Sequence, residues 1–406
     1  MILNEPVCCN FFISRQTKHT VDLVILMTEI EKWAEFLNSA KLNRQKKQLL
    51  RTLETTPKNT IDFSSNDYLS LNHDGIVGKL FEQLLPITDF GSTGSRLIRG
   101  HRNSFELCEQ VFADWVKSKS ALLFHSGYGG NVGTMGAILD RHDLVFADRL
   151  CHASLLDGIR LSGTTRHYYR HNDLNHLEEL LTKHSCKGRR FIITESVFSM
   201  DGDQPNLAGL IELANRHNAL LFLDEAHAIG ILGEGGRGLA AQHQHELAVI
   251  SYPMGKAPGL MGCFIAGPEP LKSYLINHSR SFIYSTAQPP FLADLLRLII
   301  LEMKSNELSK RRETLLSISN FMHRRLNEEG LKTGQAPSHI VPIILGDEEC
   351  TLRTAKYLRQ NKFSVFAIRP PTVPQGECRL RICLHANNTE QQIEDFISAL
   401  KQSLTA

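Results

Sequence analysis

The amino-acid sequence predicts an α/β fold in which a mostly parallel sheet carries helices on both faces and a smaller α+β domain follows. Short apolar runs recur through the middle of the chain, separated by stretches of helical length, as expected for strands buried on both faces. After Pro289 and Pro290 the rhythm changes to a long helical pattern followed by isolated strand-like runs. A chain of 406 residues has room for two or three structural units.

The apolar runs are the predicted strands of the larger domain, which we expect to span residues 61–289. These runs lie at residues 121–124, 144–148, 191–195, 220–224, 247–252 and 262–266. In open parallel sheets, ligands bind at the carboxyl ends of the strands. Polar residues that end an apolar run are therefore the first candidates for chemistry.

The smaller domain is predicted to span residues 290–406. It shows one helical pattern and then three strand-like runs, at residues 291–327, 339–345, 364–368 and 379–384. We found no internal repeat and no low-complexity segment.

Residues 1–60 are predicted to form an N-terminal extension and a helical arm, in which the helical pattern begins at Met27. Two interpretations of residues 1–26 stay open. They are either a frayed extension or a segment that precedes a true start at Met27.

Composition excludes several classes of function. Lys and Arg total 45 against 43 Asp and Glu, so the chain lacks the basic excess typical of proteins that bind nucleic acid or anionic membranes. Its nine cysteines are scattered without a C-x-x-C motif, which argues against a zinc or redox site and favours a reducing compartment. The apolar run at residues 23–27 is far shorter than the roughly 20 residues of a membrane span. We therefore expect a cytoplasmic protein without a metal ion.

Asp224 and His227 give the strongest local signal, in the segment LLFLDEAH at residues 220–227. A carboxylate at the end of a buried strand can keep a pyridinium nitrogen protonated, but it can also be a purely structural acid. The letters DEAH also occur in helicases, which need a G-x-x-x-x-G-K-[ST] phosphate loop. Neither Gly78-Lys79 nor Gly255-Lys256 is followed by Ser or Thr, which argues against that class.

Lys256 lies in a turn-rich loop after another buried strand, 32 residues beyond Asp224. An amine that forms a Schiff base needs partial burial to lower its pKa, and a loop at the ligand edge of the sheet provides it. A lone lysine in a loop is more often simply solvated. Its position one strand-helix unit beyond Asp224 favours the functional interpretation.

Two further signals are weaker. The segment SGYGGN at residues 126–131 follows a strand and opens a helix, so the backbone of Gly127 and Tyr128 is placed to bind an anion, although tight turns use similar glycines. His152 follows another strand end, where an imidazole can stack on an aromatic ring. A structural histidine is the more frequent occupant of such a position.

Together these segments resemble the α-oxoamine synthases, a branch of the fold-type I enzymes that depend on pyridoxal 5'-phosphate (PLP). The resemblance runs from about Thr28 to the end of the chain. The matching stretches are FSSNDYL (63–69), GSTGSRLIRGH (91–101), TESVFSMDG (194–202), DEAH (224–227), GGRG (235–238) and YST (284–286). The family has a seven-stranded, mostly parallel sheet, which is the fold that the resemblance implies here.

The resemblance also implies a PLP-dependent acyltransferase with assigned residues. Lys256 would hold PLP, Asp224 would pair with the ring nitrogen and His152 would stack on the ring. Ser199 and His227 would contact the phenolic oxygen, and the backbone of Gly127 and Tyr128 the phosphate. On the substrate side, Arg379 would bind the carboxylate, with Arg51 and Asn66 nearby. The remaining phosphate ligands would be Ser285 and Thr286, acting on the cofactor of the neighbouring subunit of a homodimer.

The substrates follow from the C-terminal segments AIRPPTVP (367–374) and RLRI (379–382), which resemble the branch that joins L-alanine to a pimeloyl thioester in biotin biosynthesis. That reaction gives 8-amino-7-oxononanoate, CO2 and a free thiol, with coenzyme A or an acyl carrier protein as the acyl donor. The alternative is a branch that uses glycine and a short acyl-CoA. A catalytically silent subunit of the same fold is a further alternative.

Pro253 departs from the family pattern, which has Ser or Thr three residues before the lysine as a phosphate ligand. Proline has neither a hydroxyl group nor an N–H. Either Ser251, Tyr252 or water replaces the missing contact, or the cofactor is held more weakly, by about 1–2 kcal/mol for one hydrogen bond.

Overall fold

The computed structural model describes residues 17–47, 49–57, 59–334 and 338–405, with side chains from Thr28 onward. It divides into two units, one up to residue 58 and one from Asn59 onward. The further division at residue 290 stays a prediction. None of the helices among the described residues is both long enough and apolar enough to span a membrane.

The first unit consists mainly of helix α1, Thr17–Lys46. The helix was predicted to begin at Met27, and this prediction is wrong by ten residues. No proline or glycine occurs between residues 7 and 56, so nothing in the sequence breaks the helix on its N-terminal side. Within the described part of α1, Trp33 and Phe36 are exposed and their rings stack 5.4 Å apart.

The second unit alternates strands and helices. Its strands are β1 Ile61–Asp62, β2 Ser120–Phe124, β3 Leu144–Asp148, β4 Thr165–Tyr169, β5 Arg190–Glu195, β6 Ala219–Asp224, β7 Val249–Pro253, β8 Cys263–Gly267, β9 Ile340–Gly346, β10 Phe363–Ser364, β11 Phe366–Ile368 and β12 Cys378–Cys383. Its helices are α2 Ile76–Glu82, α3 Asn103–Val116, α4 Gly127–Ile138, α5 Ala153–Ser162, α6 Leu174–Lys183, α7 Leu207–Arg216, α8 Glu269–His278, α9 Arg280–Ile283, α10 Pro290–Glu302, α11 Asn306–Glu328, α12 Glu348–Gln360 and α13 Glu390–Thr405. Short 3₁₀ turns lie at Glu234–Gly236 and Leu239–Gln242, and a π turn at Arg96–Gly100.

The central sheet has seven strands in the order β2-β8-β7-β6-β5-β3-β4. Only β8 runs antiparallel to its neighbours, so the predicted mostly parallel sheet is confirmed. Strand β4 was not predicted, because its sequence TRHYY contains no apolar run. It lies at the edge of the sheet, where polar side chains reach solvent.

In every strand of the central sheet except the edge strand β4, alternate residues belong to two separate apolar clusters, one on each face of the sheet. On β3, for example, Leu144 and Phe146 belong to the larger cluster, and Val145 and Ala147 to the smaller one. This alternation follows from the two-residue period of a strand. Because both faces are apolar, the strands read as continuous apolar runs in the sequence.

The C-terminal part of the second unit has a three-stranded antiparallel sheet in the order β11-β12-β9. The single long helical pattern predicted at 291–327 is in fact two helices, α10 and α11. Ser305 separates them, since its hydroxyl caps α11 by accepting a hydrogen bond from the Leu308 N–H at 3.2 Å. Strand β1 pairs in parallel with β10 and so joins the start of this unit to its C-terminal part.

Helices α4 and α5 approach each other closely at Gly158. A Cβ atom there would lie 2.6 Å from the Cβ of Met135, a distance that well-packed side chains do not adopt. We predict that Gly158→Ala lowers the free energy of unfolding by about 1–3 kcal/mol through overpacking. Gly136→Ala on α4 is the matched control, because its Cβ would meet only Leu161 at 3.8 Å, and it should be neutral or slightly stabilising. Denaturant midpoints measure both, and equal destabilisation would contradict the predicted close contact.

Candidate active site

A cavity of about 440 Å³ opens at the carboxyl ends of β5, β6 and β7. Seven of the residues predicted from the sequence line it, namely Asn66, Gly127, Tyr128, His152, Asp224, His227 and Lys256. A larger cavity of about 590 Å³ lies at the opposite ends of the strands, and none of the predicted residues lines it. The convergence of the predicted residues identifies the first cavity as the candidate active site.

Lys256 enters the cavity from the loop that follows β7. Its Nζ lies 2.7 Å from Nε2 of His227. Burial lowers the pKa of Lys256 to about 8, although the carboxylates of Asp224 and Glu195 act in the opposite direction. More of the amine is therefore uncharged near neutral pH than for an ordinary lysine, and the uncharged form is the one that acts as a nucleophile or a proton acceptor.

His227 is almost fully buried and connects Lys256 to a second group of polar side chains. Its Nδ1 lies 2.8 Å from the Tyr68 hydroxyl, and that hydroxyl lies 2.8 Å from Oδ1 of Asn66. Burial and the neighbouring charge of Lys256 hold the pKa of His227 well below its usual range. The imidazole is therefore neutral at physiological pH.

Asp224 ends β6, where its carboxylate is buried but hydrogen-bonded. Its Oδ2 accepts from Nδ2 of Asn131 at 2.7 Å, and its Oδ1 from the Ala226 N–H at 2.9 Å. Asn131 also donates to the Ser154 hydroxyl at 2.9 Å, and that hydroxyl lies 2.8 Å from Nδ1 of His152. One network thus fixes both the carboxylate and the imidazole predicted to contact the cofactor ring.

Glu195 is a cavity residue that the sequence analysis did not single out. It ends β5 directly opposite Asp224 in the parallel register, and its Oε1 accepts from the His152 N–H. Burial and the nearby Asp224 raise the pKa of Glu195. The rule that selected Asp224, a polar residue at the end of an apolar run, also applies to Glu195.

The start of α4 forms the anion-binding end of the cavity. The first N–H groups of a helix have no partners within it, and the Ser126 hydroxyl accepts only that of Gly129, at 3.1 Å. The N–H groups of Gly127 and Tyr128 are left to bind an anion, aided by the helix dipole. This end, the Asp224 carboxylate and the Lys256 amine fit the phosphate, ring nitrogen and aldehyde of PLP.

Pro253 lies beside this helix start, since a Cβ atom added to Gly127 would lie 3.0 Å from the Cβ of Pro253. Neither of the two predicted substitutes for a hydroxyl at position 253 lines the cavity. Ser251 is fully buried with its Oγ 3.4 Å from Sγ of Cys263, and the Tyr252 hydroxyl accepts from Gln244 at 2.8 Å. Two of the alternatives raised from the sequence remain. Either water replaces the missing phosphate contact, or the cofactor is held more weakly.

The predicted role of Arg379 in binding the substrate carboxylate stays a prediction, and the structure places its side chain outside the cavity. Its buried guanidinium is engaged by Asp201 and by Glu377, the latter at 3.0 Å. Arg381 does not line the cavity either, but it contacts a residue that does, with Nη2 3.1 Å from Oδ1 of Asn66, and no carboxylate of the described residues pairs with it. Residues two apart on a strand share a face, so the sequence pattern did not distinguish the two arginines.

The other predicted residues lie outside the cavity or in the first unit. The Ser199 carbonyl accepts a hydrogen bond from Arg381. Ser285 and Thr286 line a separate small cavity, and Arg51 is exposed in the first unit. The roles proposed for these four residues' side chains stay predictions.

Comparison with known proteins finds matches that cover most of the chain. The family model described as aminotransferase class I and II matches residues 58–400, a range that contains every residue lining the cavity. An 8-amino-7-oxononanoate synthase of Alkalilimnicola ehrlichii is 38% identical over 350 residues, which cover 86% of this chain and 89% of that protein.

Two solved structures extend the comparison. The 8-amino-7-oxononanoate synthase of Francisella tularensis superposes with a TM-score of 0.72 at 28% identity, covering 86% of this chain and 99% of that one. The serine palmitoyltransferase of Sphingomonas wittichii superposes with a TM-score of 0.84 at 24% identity, covering 92% and 97%, which supports the fold alone.

The position of Pro253 leads to a prediction about cofactor affinity. A threonine hydroxyl there would lie beside the start of α4 and add one hydrogen bond to a charged phosphate. We expect Pro253→Thr to tighten PLP binding by about 1–2 kcal/mol, roughly 5- to 30-fold in Kd. Pro253→Val is the matched control, because it removes the ring without adding a hydroxyl. Affinity for PLP is measured by titration of the cofactor-free protein. Equal affinities of the two variants would refute the claim that a hydroxyl at position 253 adds a hydrogen bond to the phosphate.

Proposed function

This chain belongs to the class I and II aminotransferase family, and on that premise we propose that it catalyses the 8-amino-7-oxononanoate synthase reaction. In that reaction L-alanine condenses with a pimeloyl thioester, in biotin biosynthesis. The observation that carries the proposal is the convergence of Lys256, Asp224, His227 and the start of α4 in one cavity. The 38% identity to a synthase of that name supports the choice within the family.

The proposed reaction exchanges bonds at Cα of alanine and at the thioester carbonyl carbon. A bond forms between Cα of alanine and the thioester carbonyl carbon, and the carbon–sulfur bond breaks to release the thiol. Two further bonds at Cα break, one to its hydrogen, which leaves as a proton before the new bond forms, and one to the alanine carboxylate, which releases CO2. Cα then takes up a proton, and the leaving thiolate takes up another. When bound, PLP supplies the electron withdrawal that stabilises negative charge at Cα.

On the cofactor side, we assign Lys256 to hold PLP covalently and, once its amine is free, to move the proton at Cα. The lowered pKa of this amine, about 8, suits both roles. Asp224 would hold a proton at the ring nitrogen, His152 would lie against the ring, and the Gly127 and Tyr128 N–H groups would bind the phosphate. His227 and Ser199 would act near the phenolic oxygen.

On the substrate side, we assign Arg381 rather than Arg379 to the alanine carboxylate. A guanidinium binds a carboxylate through two parallel hydrogen bonds, and Arg381 is the arginine that approaches Asn66 at the cavity wall. Asn66 helps to orient it. The role of Arg51 in substrate binding remains part of the proposal.

We also propose that the enzyme acts as a cytoplasmic homodimer with shared active sites. Ile98 and Tyr284 are 85% and 72% exposed, which is unusual for large apolar side chains and favours a partner surface. Ser285 and Thr286, next to Tyr284, would contact the cofactor of the partner subunit. The acyl donor is pimeloyl-CoA or a pimeloyl carrier protein.

The proposed activity is tested by thiol release from pimeloyl-CoA by the purified protein with PLP and either L-alanine or glycine. We expect turnover that depends on alanine, with a product of the mass of 8-amino-7-oxononanoate. Lys256→Ala should abolish it. Turnover with glycine alone would assign the chain to a different branch of the family, and full activity of Lys256→Ala would overturn the mechanism.

The assignment of the carboxylate to Arg381 predicts different effects for two neighbouring arginines. Arg381→Lys loses the paired hydrogen bonds, worth about 1.5–3 kcal/mol, so KM for alanine should rise roughly 10- to 100-fold. Arg379→Lys weakens only the contacts with Asp201 and Glu377 and should leave that KM within about twofold. Steady-state kinetics at saturating thioester measure both, and the opposite pattern would restore the original prediction for Arg379.

A further inference from the structure

His171 lies in the loop between β4 and α6, and the sequence analysis gave it no role. Its Nδ1 lies 3.0 Å from Oδ1 and 3.1 Å from Oδ2 of Asp148, and its Nε2 lies 2.8 Å from Oδ2 of Asp203. Only 16% of its side chain is exposed, and its ring meets the Phe198 ring edge-on at 4.4 Å. The imidazole therefore joins the end of β3 to the segment that follows β5.

Each ring nitrogen of His171 faces a carboxylate oxygen. A carboxylate can only accept hydrogen bonds, so both nitrogens must carry a hydrogen, and the ring is then the positively charged imidazolium. Burial alone would lower the pKa of His171, but the hydrogen bonds with Asp148 and Asp203 raise it to about 9. The bridge is therefore one cation between two anions at physiological pH.

Other charged groups lie near the bridge, in its own loop, in the segment after β5 and on β12. Asp201, in the segment after β5, interacts electrostatically with His171, and Arg379 of β12 pairs with Asp201. Arg170 and Asp173, on either side of His171 in its own loop, pair with each other at 2.8 Å. The segment after β5 is thus held at two points, by His171 and by Arg379.

This segment, residues 198–203, is a tight turn that carries a residue assigned to the cofactor. The Phe198 N–H donates to the Asp203 carbonyl at 3.0 Å and closes the turn. Between them, the Ser199 carbonyl accepts from Arg381, the arginine proposed to bind the substrate carboxylate. A shift of the Asp203 end of the turn would therefore displace both Ser199 and Arg381.

We propose that His171 is a positioning residue of the active site, whose imidazolium ties residues 198–203 to the end of β3 and so holds Ser199 and Arg381 in place. His171 does not line the cavity, so it acts through these residues and not on a ligand. The inference deepens the proposed function and rests on it for the roles of Ser199 and Arg381. The charge of the bridge depends only on the contacts with Asp148 and Asp203.

The charge is tested by ¹⁵N NMR of the histidine rings in the full chain purified with PLP. The signal of His171 is assigned by its absence from His171→Gln. We expect a doubly protonated ring at neutral pH that loses a proton only near pH 9. Asp203→Asn, which keeps the pair with Asp148, should move this titration lower by at least about one pH unit. A neutral His171 ring in the wild-type protein at neutral pH would overturn the proposal.

His171→Gln removes the charge of the bridge while keeping a polar side chain. KM for alanine should rise roughly 10-fold at neutral pH, because Arg381 is held less firmly. In the wild type the bridge is intact below about pH 9 and is lost as the pH rises through that value, so its KM should approach that of the variant only there. The same ratio of the two KM values at every pH would contradict the role of the charge.

The visible absorbance of bound PLP gives a readout that does not depend on turnover. Its pH titration reports on hydrogen bonds to the phenolic oxygen, to which Ser199 is assigned, so it should shift in His171→Gln and less strongly in Asp203→Asn. His176→Gln is the matched control, because His176 lies in the first turn of α6 nearby and its Nδ1 accepts a hydrogen bond from the Arg170 N–H at 2.9 Å. It should leave the absorbance titration and KM unchanged.

The outcomes separate this inference from the proposed function. A His171→Gln protein with an unchanged absorbance titration and an unchanged KM would refute the positioning role, whatever charge the wild-type ring carries. A charged His171 whose replacement shifts the absorbance titration, in a protein that fails to make 8-amino-7-oxononanoate, would support the positioning role and refute the proposed function.

Discussion

Glu195 and Asp224 lie side by side at the carboxyl ends of two neighbouring parallel strands, and both are almost fully buried. Two acidic groups in such a place are costly unless cations, hydrogen bonds or proton uptake compensate. The site supplies all three. Lys256 provides a nearby cation, Asn131 donates to Asp224, and the raised pKa of Glu195 favours its neutral form.

This arrangement gives the cavity walls distinct chemical characters. The strand ends carry the carboxyl groups, the start of α4 offers backbone N–H groups, and Arg381 approaches from the C-terminal sheet through Asn66. A ligand with a proton-accepting ring and a phosphate matches the first two walls, and a substrate carboxylate matches the third. The polar residues between them hold Lys256, His152 and His227 in fixed orientations, which is what catalysis by positioned groups requires.

The sequence predicted the strand ends well, because strands buried on both faces leave continuous apolar runs that stop at Asp224 and near Lys256. Features set by tertiary structure were harder to predict. Strand β4 has no apolar run because it is an edge strand, and α1 begins ten residues before the pattern suggested. Arg379 and Arg381 share one face of β12, so only the three-dimensional structure distinguishes them. His171 gives no signal of its own, since its role lies in contacts with residues far along the chain.

The central claim is that Lys256 is the residue that binds PLP, and peptide mapping tests it most directly. Borohydride reduction of the protein purified with PLP fixes the cofactor on its lysine, and mass spectrometry of the digested protein locates it. We predict one pyridoxyl-modified peptide, the one that contains Lys256. Modification of a different lysine, or of none, would contradict the account.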